Sequence, residues 1–514
     1  MRLRIMSIVL ATALLTAGTA RPAKGPTSRY DLIIRGGTIY DGSGSVPFIG
    51  DIALKGDRIV YVGRSIAASA TREIDARGLA VAPGFINMLS HVEESLFADP
   101  RAMSDIKQGV TLEVLGEISM GPLSPEMKAY AQRQQGDIKY AVDWDTLGGY
   151  FGNLERRGIS PNLASFVGAG DVRANVLGLG DVTPDAAQLE AMQRQVRGAM
   201  NDGAMGVTTA LIYAPQTYAK TPELITLAKA AARCGGMYTA HMRSEGDRLI
   251  EAVDETIAIA RAAGTRAEIY HMKQTGKDNW PKLEAMIGRI EAARASGVRI
   301  TANMYTYTAG ATGLDAAMPT WVQAGGYDAW RKRLLDPATR RRVIAEMKQP
   351  GKDWENLRLA TGSDEKLLLL GFKNPVLKPL TGKTLGEVAR MRGKSAEETA
   401  VDLVVEDGSR VGVAYFLMNE DNVRRQIMLP WMAFGSDAGA PASEGVFLKS
   451  SEHPRAYGNF ARLLGRYVRD EHLVTLQEAV RRLTSFPAAT LGISDRGALK
   501  PGMLADLADR KSVV

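Results

Sequence analysis

Two histidines stand at the ends of two short apolar runs in the middle of the chain. The runs cover 237–241 and 267–271, and the segment between them, 249–263, carries apolar residues at helical spacing. This pattern predicts a strand, a helix and a second strand. Parallel neighbouring strands bring their carboxyl ends together, and neutral imidazole is a common ligand for a divalent transition metal. We therefore predict a metal site that includes His241 and His271.

The alternative is that both histidines are only polar residues at strand ends, where the chain turns into solvent. The chain has five histidines in 514 residues, and these two occupy equivalent positions in consecutive strand units. That placement favours the metal site.

The elements that would position such a site follow a repeated strand and helix pattern. A parallel α/β barrel of this kind commonly needs about 250 residues or more, which this chain supplies. We predict eight barrel strands near 81–86, 110–116, 163–167, 206–212, 237–241, 267–271, 298–305 and 431–437. The connection between the last two is too long for one crossover helix, so we predict an inserted, largely helical subdomain at about 310–419.

Other parts of the chain have different patterns. Short alternating strands broken by Gly and Asp between Tyr30 and Leu79 predict a small antiparallel sheet. Residues 1–20 combine two arginines, a short apolar run and small residues, which predicts a secretory signal and an exported, periplasmic or secreted protein. No later segment has the roughly 20 apolar residues that a membrane span requires.

The composition narrows the possible partners. The net charge of +7 is not concentrated in a basic stripe interleaved with aromatic residues, so we expect no nucleic-acid partner. We expect a small-molecule substrate. The sequence does not predict the oligomeric state.

A set of motifs in a fixed order resembles the amidohydrolase superfamily, and within it the D-aminoacylase (N-acyl-D-amino-acid deacylase) branch. The resemblance covers nearly the whole chain after Tyr30. The motifs are Tyr30-Asp31-Leu32-Ile33-Ile34-Arg35-Gly36-Gly37, Ala82-Pro83-Gly84-Phe85-Ile86, Gln108-Gly109-Val110-Thr111, Leu211-Ile212-Tyr213-Ala214-Pro215, His241-Met242-Arg243-Ser244-Glu245, His271-Met272-Lys273, Gly435-Ser436-Asp437, His453-Pro454-Arg455-Ala456-Tyr457-Gly458 and Lys500-Pro501-Gly502-Met503-Leu504-Ala505-Asp506.

The resemblance implies an α/β fold, a distorted TIM (β/α)8 barrel at 81–489 with a small β-sandwich domain formed from both chain ends, 29–80 and 490–514. It also implies zinc-dependent hydrolysis of the N-acyl amide bond of N-acyl-D-amino acids. Another amide or cyclic amide hydrolase of the superfamily, such as a dipeptidase or hydantoinase, is an alternative. So is a catalytically silent barrel that binds a ligand.

The resemblance also implies roles for particular residues. His241 and His271 correspond to the ligands of the tightly bound zinc, and Asp437 to the general base that activates water. Zinc lowers the pKa of water and polarises a carbonyl, and a nearby carboxylate can move the proton. The residues that resemble substrate-binding positions are Lys273, Arg455, Tyr213 and Tyr305.

Two sites depart from the family pattern. Where the first strand usually carries Asp-x-His-x-His, this chain has Asn87-Met88-Leu89-Ser90-His91. Leu89 cannot bind a metal, so we expect one zinc per chain, with His91 either a residual ligand or simply a polar residue. Where the branch commonly has a cysteine ligand after the second strand, this chain has Glu117. Two histidines and one carboxylate still form a recognised catalytic zinc site.

The carboxyl end is a third departure. Family members continue beyond Ala505-Asp506 into a further strand, whereas this sequence reads Leu507-Ala508-Asp509-Arg510-Lys511-Ser512-Val513-Val514. We expect the small β domain to be incomplete and less stable as a result.

Overall fold

A computed structural model describes residues 30–511. The predicted signal at 1–20 lies outside the described residues. The strands are β1 (Tyr30–Ile39), β2 (Phe48–Lys55), β3 (Arg58–Gly63), β4 (Ala70–Asp75), β5 (Leu79–Pro83), β6 (Phe85–Ser90), β7 (Val110–Leu115), β8 (Asn162–Ser165), β9 (Val167–Gly168), β10 (Gly206–Ala210), β11 (Met237–His241), β12 (Ala267–Ile269), β13 (Ile300–Met304), β14 (Ala309–Gly313), β15 (Leu367–Gly371), β16 (Gly412–Phe416), β17 (Met432–Phe434) and β18 (Leu507–Lys511).

The helices connect and cover these strands. They are α1 (Ser95–Ala98), α2 (Met103–Ile106), α3 (Pro125–Gln134), α4 (Leu147–Arg157), α5 (Ala169–Leu177), α6 (Ala186–Asn201), α7 (Thr221–Ala232), α8 (Leu249–Ala263), α9 (Leu283–Ala295), α10 (Tyr327–Leu335), α11 (Pro337–Met347), α12 (Leu357–Ala360), α13 (Leu385–Arg392), α14 (Ala396–Asp407), α15 (Glu420–Ile427), α16 (Arg455–Arg462), which continues as a π-helix (Leu463–Asp470), α17 (Leu476–Leu483) and α18 (Ser485–Leu491). Short 3₁₀ helices cover Gln216–Tyr218, Lys277–Lys282, Leu314–Ala317, Thr320–Gln323, Asp364–Lys366, Lys378–Leu380 and Gly445–Lys449.

The barrel consists of parallel strands in the order β6, β7, β8/β9, β10, β11, β12, β13 and β17. β8 pairs with β7 and β9 pairs with β10, and only Phe166 separates the two, so they act as one bent strand. β17 and β6, the last and first strands of the barrel, do not form a regular strand pair. There the backbone N–H of Asp437 donates to the carbonyl of Leu89, over 2.9 Å. The barrel is therefore distorted at two places, and the predicted fold class is confirmed.

Hydrophobic periodicity explains most of these elements. The barrel strands are buried along nearly their whole length, as expected when helices cover a parallel sheet. The main hydrophobic core lies between these strands and the surrounding helices, and includes Val207, Tyr238, Ile257 and Ile290. α6 begins at a capping box between Asp185 and Gln188, which satisfies two backbone N–H groups at its start.

The first barrel strand begins later than predicted. The prediction at 81–86 joined the end of β5, which belongs to the small sheet, to the start of β6. Gly84 lies between the two strands. Only glycine fits at this position, because a Cβ atom there would lie 2.0 Å from the hydroxyl of Thr111. The apolar text is continuous across this point, so hydrophobic pattern alone could not place the boundary.

The small β domain is built on one branched sheet in which β18 joins β5, β1, β2 and β3, and β4 pairs with β1. Its core includes Ile34, Ile52, Ile59 and Leu499. The carboxyl-terminal strand β18 pairs antiparallel with β5. Lower stability of this domain stays a prediction.

The long insertion has its own hydrophobic core, which includes Leu314, Trp330, Val401 and Tyr415. It contains the helices α10–α14, but also a three-stranded antiparallel sheet in the order β14, β16, β15 that was not predicted. No helix formed by residues 30–511 has the length and apolar character needed to cross a membrane.

Candidate metal centre and catalytic site

Three side chains meet at the carboxyl edge of the barrel. The Oε1 atom of Glu117 lies 2.9 Å from Nδ1 of His241 and 2.6 Å from Nε2 of His271. Glu117 follows β7, His241 ends β11 and His271 follows β12. All three are buried, and their ligand atoms lie within 4.8 Å of one another. The structure thus brings together the three residues that the sequence predicted as metal ligands.

The backbone at this edge is strained. Glu117, His271 and Asp437 have φ angles of 67°, 34° and 51°, in the left-handed region that residues other than glycine rarely adopt. Such strain concentrates at functional sites, where the surrounding structure holds it in place. Here it directs three side chains from three different strand ends toward one point.

Burial and charge oppose each other in this cluster. Burial alone would raise the pKa of Glu117, but the adjacent imidazoles of His241 and His271 hold it well below its usual range. Burial would lower the pKa of His271, yet the surrounding carboxylates outweigh it and raise that pKa to about 9. The ionised carboxylate attracts cations, so the cluster is electrostatically suited to a metal ion.

The donor set fits zinc. Two imidazole nitrogens and one carboxylate oxygen are ligands that zinc takes in catalytic sites, where a fourth position stays open. Glu117 also belongs to a second group, with His91 and Asp437, whose ligand atoms lie equally close together. His91 therefore lies beside the predicted site.

Asp437 is held by two cationic groups. Its Oδ2 atom lies 2.6 Å from Nη1 of Arg455, and its Oδ1 atom lies 3.2 Å from Nε2 of His91. Burial would raise the pKa of Asp437, but Arg455 and the neighbouring histidines keep it well below its usual range. The hydrogen bond with Asp437 raises the pKa of His91 well above its usual value, although burial opposes this. Asp437 is thus an ionised base beside the three predicted ligands.

Lys273 is buried and its ammonium group contacts Glu245 and His271. Its Nζ atom lies 2.6 Å from Oε1 of Glu245 and 2.6 Å from Nδ1 of His271. The same Glu245 oxygen lies 3.0 Å from Nδ1 of His271. Burial would raise the pKa of Glu245, but Lys273 and the histidines lower it to about 2.

Glu245 is a site residue that the sequence analysis missed. A second carboxylate partner of this kind orients a ligating histidine and raises its basicity. The sequence signal that could have identified Glu245 is its position four residues after His241, in the loop that follows the strand.

Two tyrosines complete the site. The ring of Tyr213 meets the ring of His241 edge-on, with centroids 5.3 Å apart. The Arg455 guanidinium lies 4.6 Å from the ring centroid of Tyr305. The hydroxyl of Tyr305 is buried and makes no hydrogen bond with the described residues. Burial raises its pKa well above the usual value, so this hydroxyl keeps its proton and can donate it to a ligand.

Asn87, in the first-strand motif, lies at the centre of a polar junction, a buried hydrogen-bonded cluster with Asp105, Glu113 and Ser436. Asn87 is completely buried. Its Nδ2 atom lies 2.9 Å from Asp105, 2.9 Å from Glu113 and 2.8 Å from the hydroxyl of Ser436, and its Oδ1 atom accepts the backbone N–H of Ser436. Burial raises the pKa of Glu113 to about 7. Leu89 is also fully buried.

The predicted site residues and Glu245 line one cavity of about 440 Å³. Its walls come from the strand ends, from the loop after β10, from α3 and α5, and from the insertion. They include His91, Glu117, Tyr213, His241, Glu245, His271, Lys273, Tyr305, Asp437 and Arg455. The structure therefore places every sequence-predicted site residue on one cavity.

Comparison with known proteins gives consistent matches. The model of the Amidohydrolase family matches residues 72–508. An N-acyl-D-glutamate deacylase of Alcaligenes xylosoxydans xylosoxydans is 32% identical over 482 residues, which cover 93% of this chain and 87% of the relative.

Solved structures agree. The crystal structure of N-acyl-D-glutamate deacylase from Bordetella bronchiseptica, complexed with zinc and a phosphonate inhibitor that mimics the tetrahedral intermediate, is 28% identical with a TM-score of 0.77, covering 94% of this chain and 90% of that one. A D-aminoacylase with a binuclear metal centre is 29% identical with a TM-score of 0.76 and the same coverage. In that protein one metal activates and the second attenuates.

Proposed function

Because the chain belongs to the amidohydrolase family, we propose that it hydrolyses the N-acyl amide bond of N-acyl-D-amino acids with the help of zinc. The observation that carries the proposal is the meeting of His241, His271 and Glu117 beside the ionised Asp437. The similar deacylases named above, one of them solved with zinc, support both the metal and the substrate class.

His241, His271 and Glu117 would hold one zinc ion per chain. Leu89 offers no ligand atom to a second metal at the first strand, and Asn87 is already used in the polar junction. The one-metal activation of the similar D-aminoacylase is compatible with a single metal. When bound, zinc would polarise the scissile carbonyl and lower the pKa of an attacking water.

Asp437 is the general base and then the general acid. Its low pKa keeps the carboxylate ready to accept a proton from water, and the same proton can pass to the nitrogen of the leaving amine. Arg455 holds Oδ2 in a buried ion pair, so the carboxylate is oriented before substrate arrives. His91 contacts the other oxygen and further fixes it.

Tyr305 would donate its unused hydroxyl proton to the oxyanion that forms at the carbonyl carbon. Tyr213, beside His241, is the second candidate for that role. Lys273 and Arg455 are the cations nearest the centre, and we assign to them the orientation of the substrate's α-carboxylate. Each is paired with a protein carboxylate, so the α-carboxylate would share these cations with Glu245 and Asp437.

The test compares N-acetyl-D-methionine with N-acetyl-L-methionine, a dipeptide and a cyclic ureide, using zinc-loaded protein and an Asp437→Asn variant. We expect hydrolysis of the D-substrate only, and loss of at least about a hundredfold in the variant. Preferred cleavage of the dipeptide or the ureide would replace the proposal with another hydrolase activity. No cleavage of any of these substrates or of N-acetyl-D-glutamate by protein with a full zinc content would favour a binding protein.

We also propose that the protein is exported, on the basis of the composition of residues 1–20. Fusion of this segment to a reporter that is active only outside the cytoplasm tests the proposal. Reporter activity equal to that of a fusion without the segment would contradict it.

A further inference from the structure

The insertion contributes one arginine to the wall of the catalytic cavity. Arg410 lies two residues before β16 and lines the cavity together with Tyr213 and Thr312. Its side chain is 51% exposed, unlike those of Lys273 and Arg455, which are almost completely buried. Among the cavity cations, Arg410 is therefore the one that a bound substrate can reach without breaking a buried ion pair.

Three contacts hold Arg410 in place. Its Nε atom donates to Oδ2 of Asp315 over 2.8 Å, and its Nη2 atom donates to the hydroxyl of Thr312 over 3.2 Å. Its guanidinium carbon lies 4.9 Å from the ring centroid of Tyr213. Nη1 makes no hydrogen bond with the described residues, and Nη2 has a second N–H group. The outer edge of the guanidinium thus has two donors, the fork that binds a carboxylate in bidentate fashion.

The position of Arg410 relates it to the reaction centre. The Tyr213 ring contacts both the imidazole of His241 and the guanidinium of Arg410. A single aromatic ring therefore separates the arginine from a predicted metal ligand. That separation suits a group on the substrate's side chain, attached near the amide but distinct from it.

A tyrosine adds a further donor in the same wall. Tyr130, from α3, also lines the cavity, and its hydroxyl accepts the backbone N–H of Tyr327. Its own proton is then free to be donated. Burial raises the pKa of Tyr130, so the hydroxyl stays protonated near neutral pH. The cavity wall also includes apolar residues, among them Ile118, Met127 and Leu179.

We propose that Arg410 is a specificity-determining residue that binds the side-chain carboxylate of an acidic N-acyl-D-amino acid. The inference rests on the proposed function and names its substrate class. Asp315 fixes the inner edge of the guanidinium, and the arginine keeps its positive charge at all accessible pH values. An acidic side chain would find a fixed, charged fork in a wall that also carries apolar residues.

The experiment compares kcat/KM for N-acetyl-D-glutamate and N-acetyl-D-leucine, in the unmodified enzyme and in Arg410→Gln. The control is Arg390→Gln, an exposed arginine of the insertion that does not line the cavity. We expect the enzyme to prefer the glutamate substrate. Arg410→Gln should lower that kcat/KM by roughly 10- to 100-fold, the effect of removing a hydrogen bond to a charged group, and leave the leucine substrate within about twofold. Arg410→Lys should recover only part of the loss, because it restores the charge without the fork.

A preference of the unmodified enzyme for the leucine substrate would overturn the inference while leaving the proposed function intact. An equal loss for both substrates in Arg410→Gln would also overturn it, since Arg410 would then act on the α-carboxylate or on folding. If neither compound is hydrolysed, the proposed function fails, and calorimetric titration of the same two compounds decides the role of Arg410. Tighter binding of N-acetyl-D-glutamate that Arg410→Gln abolishes would support the role, and equal or absent binding would refute it.

Discussion

The Nη1 atom of Arg455 lies 2.6 Å from the Oδ2 atom of Asp437, and both side chains are buried. The proposed general base therefore depends on an ion pair for its charge state. Burial alone would favour the neutral acid, and Arg455 reverses that preference. The two residues belong to separate motifs, so this dependence arises only in the folded chain.

Replacing Arg455 with Met should raise the pKa of Asp437. The acid limb of the pH profile of kcat/KM should then move to higher pH, because a larger fraction of the base is protonated. The rate at neutral pH should fall by roughly 10- to 100-fold, since the carboxylate also loses its orientation. Arg455→Lys is the matched control and should keep the acid limb near its original position. An unchanged acid limb in Arg455→Met would show that Arg455 does not set the charge of Asp437.

Replacing Glu117 with Gln should weaken zinc binding by at least roughly 100-fold. Even the loss of a residue that only hydrogen-bonds to a metal ligand lowers metal affinity by roughly 10- to 100-fold. Elemental analysis after dialysis against a zinc buffer measures the effect. Glu117→Cys should retain zinc, since a thiolate is also a zinc ligand. The control is Glu155→Gln on the exposed surface of α4. Full zinc content in Glu117→Gln would remove Glu117 from the ligand set.

Replacing Asn87 with Leu should destabilise the protein. The change leaves buried oxygen atoms of Asp105 and Glu113, and the backbone N–H of Ser436, without their partner. We expect a loss of about 3 kcal/mol in the free energy of unfolding, measured by urea titration. Asn201→Leu, at the exposed end of α6, serves as the control. Equal urea midpoints for the two variants would contradict the role of Asn87 as a buried junction.

The sequence predicted the parts of the site that depend on local pattern. His241 and His271 end strands with a clear period, and Glu117 follows another strand, so their meeting follows from the parallel order of the barrel. Whether they bind a metal stays a prediction. The start of the first barrel strand could not be predicted, because the steric need for Gly84 depends on Thr111, a residue of the neighbouring strand.

The contacts made by the insertion could not be predicted from the sequence either. Arg410 lies far along the chain from Tyr213, in a segment without a recognisable motif. Its place in the cavity follows from the pairing of β14 with β16, which brings Thr312 and Asp315 beside it. Similarly, the pairing of Glu245 with Lys273 depends on the register of β11 and β12.

The carboxyl group of Glu268 should make stability depend on pH. Glu268 lies in β12, is completely buried, and accepts hydrogen bonds from Thr301 and Asn303. Burial raises its pKa from 4.5 to about 7. Between these values the folded protein keeps a proton that the unfolded chain releases, so stability falls as the pH rises from about 4.5 to about 7.

Replacing Glu268 with Gln should remove this contribution, because the amide does not titrate. The urea-derived stability of the variant should fall less steeply over that pH range, by about 3 kcal/mol in total. Other buried carboxyl groups with raised pKa values, such as those of Asp171 and Glu355, are present in both proteins and cancel in the comparison. Parallel stability curves for the two proteins would show that folding does not raise the pKa of Glu268. In that case the strand interior would have to stabilise a carboxylate, and the hydrogen bonds from Asn303 and Thr301 would be the groups that do so.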